Sequence, residues 1–228
     1  MCMYKVLHFV YDILGHMLAF FANIYFSIRD RIKPPNETSI LFVAHPDDDA
    51  LFFHNYITLN KPYVVLLTTG GIINRFLPFC RAMREYGVRY RAFDMKSRAV
   101  DREDSICKNI KTCLHNGCFS VCATHNEEGE YGHIMHQCIH RCVKRVWQGD
   151  ELLVPCNKQL IMEHKLSDYE IDCKRLFLQT FYSREYPTLQ TFETWITHEC
   201  LITINCKKDE MPIHDRFLVK KNGEFLAD

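Results

Sequence analysis

The run SILFVAHPDDD, residues 39–49, decides how the rest of the chain is read. Its opening, Ser39 to Ala44, is an apolar run without helical repeat that follows Pro34 and Pro35, the signature of a short strand buried on both faces. The chain then breaks into His45, Pro46 and three carboxylates, a turn composition, and a helix is expected from about Asp49 to Leu59.

The same alternation continues downstream. Tyr63 to Thr68 (YVVLLT) reads as a second buried strand ending at Gly70-Gly71, and Pro78 inside a helix start with Gly87 past its end brackets a helix. Arg89 to Asp94 is a weaker third strand, Val100 to Asn116 a helix stopping at Gly117, and Cys118 to Ala123 a fourth strand. Ile134 to Gln148 is a helix closed by Gly149, Glu151 to Pro155 (ELLVP) a fifth strand, and Ser167 to Tyr182 a further helix. Later residues contain a helix and then LITIN and RFLVK strands, without a motif that carries chemistry. Strands separated by helices imply right-handed crossovers, so the expected fold is α/β, with a mostly parallel sheet and helices on both faces.

In such sheets ligands bind beyond the carboxyl ends of the strands. His45-Pro46-Asp47-Asp48-Asp49 follows the first strand, Gly70-Gly71 the second, Asp94 the third and the loop His125 to His136 the fourth, which predicts one shared pocket. His45 and Asp48, three residues apart in a turn, can direct an imidazole and a carboxylate at one ion. His133 and His136 lie one helical turn apart at a helix start, so they share a side. Two histidines and a carboxylate make an open hydrolytic zinc site and leave one histidine for another role. Asp47, next to a ligand but displaced from the metal-facing pair, suits a general base for a water whose pKa a metal lowers from about 15.7 to about 7. His133, at a positive helix end, suits an oxyanion stabiliser. Each motif has a plainer reading, a capping turn in one case and exposed histidines in the other, and it is their convergence on one sheet edge that favours a site. His140 is expected on the helix surface.

AHPDDDALFF (44–53) followed by EYGHIMH (130–136) resembles the PIG-L/LmbE deacetylase family over roughly Ser39 to Pro187, with support from the TTGG turn and from Phe181-Tyr182-Ser183. The resemblance implies a Rossmann-like sheet, one zinc ion held by His45, Asp48 and His136, Asp47 as general base and His133 as stabiliser or proton donor. It further implies that Tyr131 polarises the amide carbonyl and that Arg75 binds substrate; Asp94, at the end of the third strand, is a second substrate-binding candidate from its position. The implied reaction is hydrolysis of the N-acetyl group of an N-acetylglucosaminyl conjugate, with a glycolipid such as GlcNAc-phosphatidylinositol, the GPI-anchor precursor, as one substrate. Asp49 and Pro78 depart from glutamates usual in that family. A non-catalytic sugar or lipid binder and a zinc hydrolase of non-sugar amides are the competing expectations.

Composition limits the remainder. The 228 residues carry 28 Lys+Arg and 28 Asp+Glu, so no overall charge favours a polyanion, and nucleic acid is not expected as a partner. At 47% hydrophobic and 25% charged, the chain is globular rather than disordered. Its 12 cysteines lack a C-x-x-C pair and are expected to be mostly reduced, buried thiols. Val6 to Ile28 is apolar for about the length of a bilayer span, though interrupted by Asp12 and His16, so residues 1–33 are expected to be a membrane anchor or interfacial helix with a linker, ahead of a single domain over 34–228. Arg29, Arg31 and Lys33 after this segment favour a membrane-associated protein with its catalytic part in the cytosol, for instance at the endoplasmic reticulum, with a soluble cytoplasmic protein as the alternative.

Overall fold

The structure is a computed structural model that describes residues 2–69, 73–93, 103–149, 151–205, 220–221 and 224–225. Six strands form one sheet: β1 (Ser39–Val43), β2 (Tyr63–Leu66), β3 (Tyr90–Ala92), β4 (Val121–Ala123), β5 (Glu151–Pro155) and β6 (Leu201–Asn205). Their order is β3-β2-β1-β4-β5-β6. The first five are mutually parallel, whereas β6 runs antiparallel to β5, with Leu152 opposite Ile204 and Leu153 opposite Thr203. The α/β expectation therefore holds, and LITIN is an edge strand. RFLVK falls mostly outside the described residues; its Lys220 begins a two-residue strand, β7 (Lys220–Lys221), paired with β8 (Glu224–Phe225).

Period-two alternation divides the core into two layers. Leu41, Val43, Val64 and Leu66 point to one face, where they meet α2 (Asp48–Asn60), α3 (Ile73–Tyr86) and α6 (Asp168–Phe181). Ile40, Phe42, Val65, Cys122 and Leu152 point to the other, against α4 (Glu103–His115) and α5 (Ile134–Val146). All nine of these strand residues are completely buried, which is why the strands read as continuous apolar runs rather than as alternating ones.

Several boundaries differ from the sequence expectation. Helix α3 begins at Ile73, so Pro78 lies inside it rather than at its start. The ring leaves the Asn74 carbonyl without its usual donor, a loss confined to the second turn. Gly87, at φ +68°, adopts the left-handed conformation that ends this helix. Strand β4 starts at Val121, three residues later than expected. Ser167 forms a capping box with Glu170 at the start of α6, as a Ser-x-x-Glu sequence favours.

The amino-terminal segment is a 31-residue helix, α1 (Cys2–Ile32). Among the described residues no helix is long and apolar enough to cross a membrane. Its last turns pack on the sheet edge: Phe26 and Asp30 are buried, and Asp30 accepts from the Tyr63 hydroxyl at 2.6 Å and from Arg29 at 2.7 Å. Arg91 adds a hydrogen bond to Ser27 at 2.8 Å. Arg29 thus has a structural task in addition to its charge. Further toward the amino terminus, Leu14, Met17, Phe20, Phe21 and Tyr25 are exposed.

Cys107 and Cys142 are joined by a disulfide between α4 and α5, an exception to the expected thiols; Cys80, Cys113, Cys118, Cys122, Cys138, Cys156, Cys173 and Cys200 are not disulfide-bonded.

Candidate metal centre

In the order β3-β2-β1-β4-β5 the direction of winding reverses between β1 and β4, the switch point where a parallel sheet opens a crevice at its carboxyl edge. The His-Pro-Asp-Asp turn leaves β1, and the loop carrying Glu130 to His136 leaves β4. The two motifs therefore meet because of topology, across 91 residues of chain between His45 and His136.

The turn after β1 is tightly specified. Asp47 has φ +122°, a region a non-glycine residue occupies only under constraint. Its carbonyl accepts from Ala50 and Leu51, opening α2, and its N–H donates to Asp49 Oδ1. The His45 N–H donates to Asp48 Oδ2 at 2.7 Å. The second loop reverses within four residues through Gly129 (φ +69°), Glu130 (φ +57°) and Gly132 (φ +89°). His133 then caps α5, its Nδ1 accepting from the Met135 N–H at 3.2 Å.

Three ligand atoms converge there. Asp48 Oδ2 lies 3.3 Å from His45 Nδ1 and 3.3 Å from His136 Nε2, and the two imidazole nitrogens are 3.4 Å apart. An ion bonded tetrahedrally at 2.0–2.1 Å requires ligand–ligand separations of about 3.3–3.4 Å, the edge of a tetrahedron of that radius. The triangle thus has the dimensions of one face of a tetrahedral site. His45, Asp48 and His136 are all buried.

Two other histidines belong to groups that could hold a metal ion, His133 with His45 and His136, and His125 with Asp48 and His136, but each already has a ring nitrogen engaged in a hydrogen bond. His125 Nε2 accepts from the Ala44 N–H at 3.0 Å while its Nδ1 faces Glu130 Oε2 at 3.1 Å, so both nitrogens are engaged. His133 uses the Nδ1 lone pair as the helix cap, which puts the proton of its neutral ring on Nε2. Its ring packs 4.7 Å from that of His45 and 4.4 Å from that of His136. Burial and the neighbouring His136 and His45 push His133 down to about 4, so it is a neutral N–H donor beside the triangle.

The two carboxylates are shifted in opposite directions. Burial raises the Asp48 pKa, but His136 and His45 overcome it and hold the group well below the usual carboxylate range. Burial and the charge of Asp48 push Asp47 well above that range, opposed by Arg75. Against burial, Asp48 and Glu130 raise His136 to about 10. Both carboxylates, one at each ring nitrogen, thus favour positive charge on this imidazole.

Arg75 Nη2 lies 3.1 Å from the Pro46 carbonyl and 3.3 Å from Asp47 Oδ2, and its Nε is 3.5 Å from Glu185. It steadies Asp47. Tyr131 is half exposed, with its ring against Phe192 at 4.6 Å and His133 at 5.7 Å. Phe52, between Tyr131 and Trp195, closes the apolar side of the site. Asp94 lies outside the described residues. His140, expected on the surface, is buried and hydrogen-bonds the His125 carbonyl at 2.8 Å; the loop after β4 folds back over that side of α5 and covers it.

Sequence reasoning missed His125 and Glu130. Both lie in the loop already marked as functional, but a ring and a carboxylate five residues apart have no recognisable spacing outside a helix. Compared with models of known protein families and with curated proteins, the chain matches none.

Proposed function

We propose that the chain is a zinc-dependent hydrolase that removes the N-acetyl group from an N-acetylglucosaminyl conjugate. The observation that carries the reading is the triangle of His45 Nδ1, Asp48 Oδ2 and His136 Nε2, with edges of 3.3, 3.3 and 3.4 Å, at the switch point of the sheet. Two histidines and one carboxylate are the donor set of hydrolytic zinc, whose fourth ligand is water or substrate. When bound, such a cation supplies Lewis acidity toward water and toward an amide carbonyl.

The chain's own groups divide the remaining work. Asp47, raised in basicity by burial and Asp48 and held in place by Arg75, takes a proton from the attacking water. His133 donates its Nε2–H to the oxygen on which negative charge develops. The Tyr131 hydroxyl, also kept protonated by burial, polarises the same carbonyl. The wall formed by Phe52, Phe192 and Trp195 excludes bulk water and strengthens each of these interactions. Arg75 and Asp94 remain the candidates for contacts to the sugar.

A glycolipid is favoured among such conjugates by α1, whose exposed Leu14, Met17, Phe20, Phe21 and Tyr25 offer an apolar surface that can lie in a membrane interface. The family resemblance of the two motifs supports the same reading.

The test is to incubate zinc-loaded protein with GlcNAc glycolipids, soluble GlcNAc glycosides and non-sugar acetamides, reading free acetate and the mass loss of one acetyl group. Acetate from the sugar conjugates is expected. Protein that holds metal and retains a sugar ligand without releasing acetate would instead be a binding protein, and turnover of the plain acetamides alone would move the substrate class.

A further inference from the structure

Behind the triangle lies a second layer that the proposed reaction does not use. Glu130 is completely buried at its side chain. Its Oε2 is 2.6 Å from His136 Nδ1 and 3.1 Å from His125 Nδ1, and the two rings stack with centroids 3.8 Å apart. Its Oε1 accepts from the Asn126 N–H at 2.9 Å. The Glu130 N–H donates to Asn126 Oδ1 at 2.8 Å, and Asn126 Nδ2 donates to the Pro155 carbonyl at 3.1 Å. The loop is thereby tied to β5, and the carboxylate cannot turn without breaking these bonds.

The tautomers follow from the donors. Ala44 donates its N–H to His125 Nε2, so the His125 proton sits on Nδ1 and points at Glu130 Oε2. The same oxygen faces His136 Nδ1 and can only accept there, so the His136 ring also carries hydrogen at Nδ1, leaving Nε2 to face Asp48 and His45. We infer that Glu130 is a positioning residue, which fixes the tautomer and ring plane of His136 so that Nε2 is presented to a cation, with His125 and Asn126 holding the carboxylate in register. The inference rests on the reading of the triangle as a cation site. The backbone of Glu130 agrees with it: at φ +57° and ψ −56° a residue with a side chain is strained, and the carboxylate is what the position gains in return.

Glu130→Gln separates this role from a merely structural clamp. An amide has one accepting oxygen, whereas Glu130 uses both of its oxygens as acceptors. Whichever way Gln is turned, its NH2 opposes either the Asn126 N–H or the two imidazole N–H groups. Outer-shell carboxylates of this kind alter metal affinity by about 10–100-fold.

The experiment titrates Zn2+ into metal-free wild type and Glu130→Gln against a chromophoric chelator, alongside the melting temperature of both metal-free proteins. Weakening of zinc binding by about 10–100-fold in the folded variant is expected. Unchanged affinity, with or without a lowered melting temperature, would overturn the inference while leaving the proposed site intact, whereas absence of zinc binding by the wild type would overturn both. Should the variant not fold, nitrogen-15 spectra of zinc-loaded wild type decide the matter. A His136 ring protonated at Nδ1 and metallated at Nε2 supports the assignment, and the reverse pattern refutes it.

Discussion

The Tyr182 hydroxyl donates a hydrogen bond to Asp49 Oδ1 at 2.7 Å, joining the end of α6 to the turn after β1 across 133 residues. The same oxygen accepts the Asp47 N–H, while Asp49 Oδ2 is buried without a partner. Burial, only partly offset by Tyr182 and Asp47, raises Asp49 to about 7. An aspartate in place of the glutamate usual in the resembled family therefore does not leave the turn unsupported, because the tyrosine reaches the shorter side chain.

Tyr182→Phe leaves this buried carboxyl with one backbone donor. The expected cost is about 1–3 kcal/mol, the desolvation penalty of a stranded buried group. Urea denaturation of the zinc-loaded protein measures it, and a loss under about 0.5 kcal/mol would show that Tyr182 does not support the turn.

His133 is both helix cap and proposed oxyanion donor, and His133→Asn separates the two tasks. Asparagine is a good N-cap, so stability and zinc content are expected to change little. Turnover is expected to fall about 10²–10³-fold through loss of the N–H donor. Parallel measurement of kcat, bound metal and melting temperature checks this; unchanged kcat would remove the assignment, and loss of zinc would make His133 a ligand.

Much of this arrangement was legible in the sequence because apolar runs and turn residues report burial and chain reversal directly. SILFVA, YVVLLT and ELLVP are strands for that reason, and the parallel order carries the motifs beyond β1 and β4 to one crevice. What sequence did not disclose depends on neighbours remote in the chain. Pro78 has no local mark distinguishing the first turn of a helix from the second. His140 looks like a surface residue until the loop after β4 covers it. The pairing of Cys107 with Cys142 depends on α4 lying beside α5, and the support of His136 by Glu130 on a loop turned through three positive-φ residues, Gly129, Glu130 and Gly132.

His54, which is not among the proposed metal ligands, provides a pH signature. It is buried against Phe177, its Nδ1 is 2.9 Å from the Tyr86 hydroxyl, and Lys174, itself paired with Glu199, is the nearby cation. Burial and Lys174 depress it from 6.5 to about 3. Between those values the unfolded chain binds one more proton at this position than the folded one, so stability rises with pH across the window and is lost on acidification toward pH 3. The expected contribution is about 1.4 kcal/mol per pH unit. His54→Asn, which retains a partner for Tyr86, should flatten the stability profile of zinc-loaded protein between about pH 6.5 and 3. Parallel profiles for the two proteins would contradict the assignment.

The most direct test of the metal centre is elemental analysis of wild type and His136→Ala purified in parallel and dialysed against a weak chelator. The account predicts about one zinc per chain in the wild type, from three protein ligands, and little in the variant. A metal-free wild type, or a variant that retains its full complement of zinc, would contradict it.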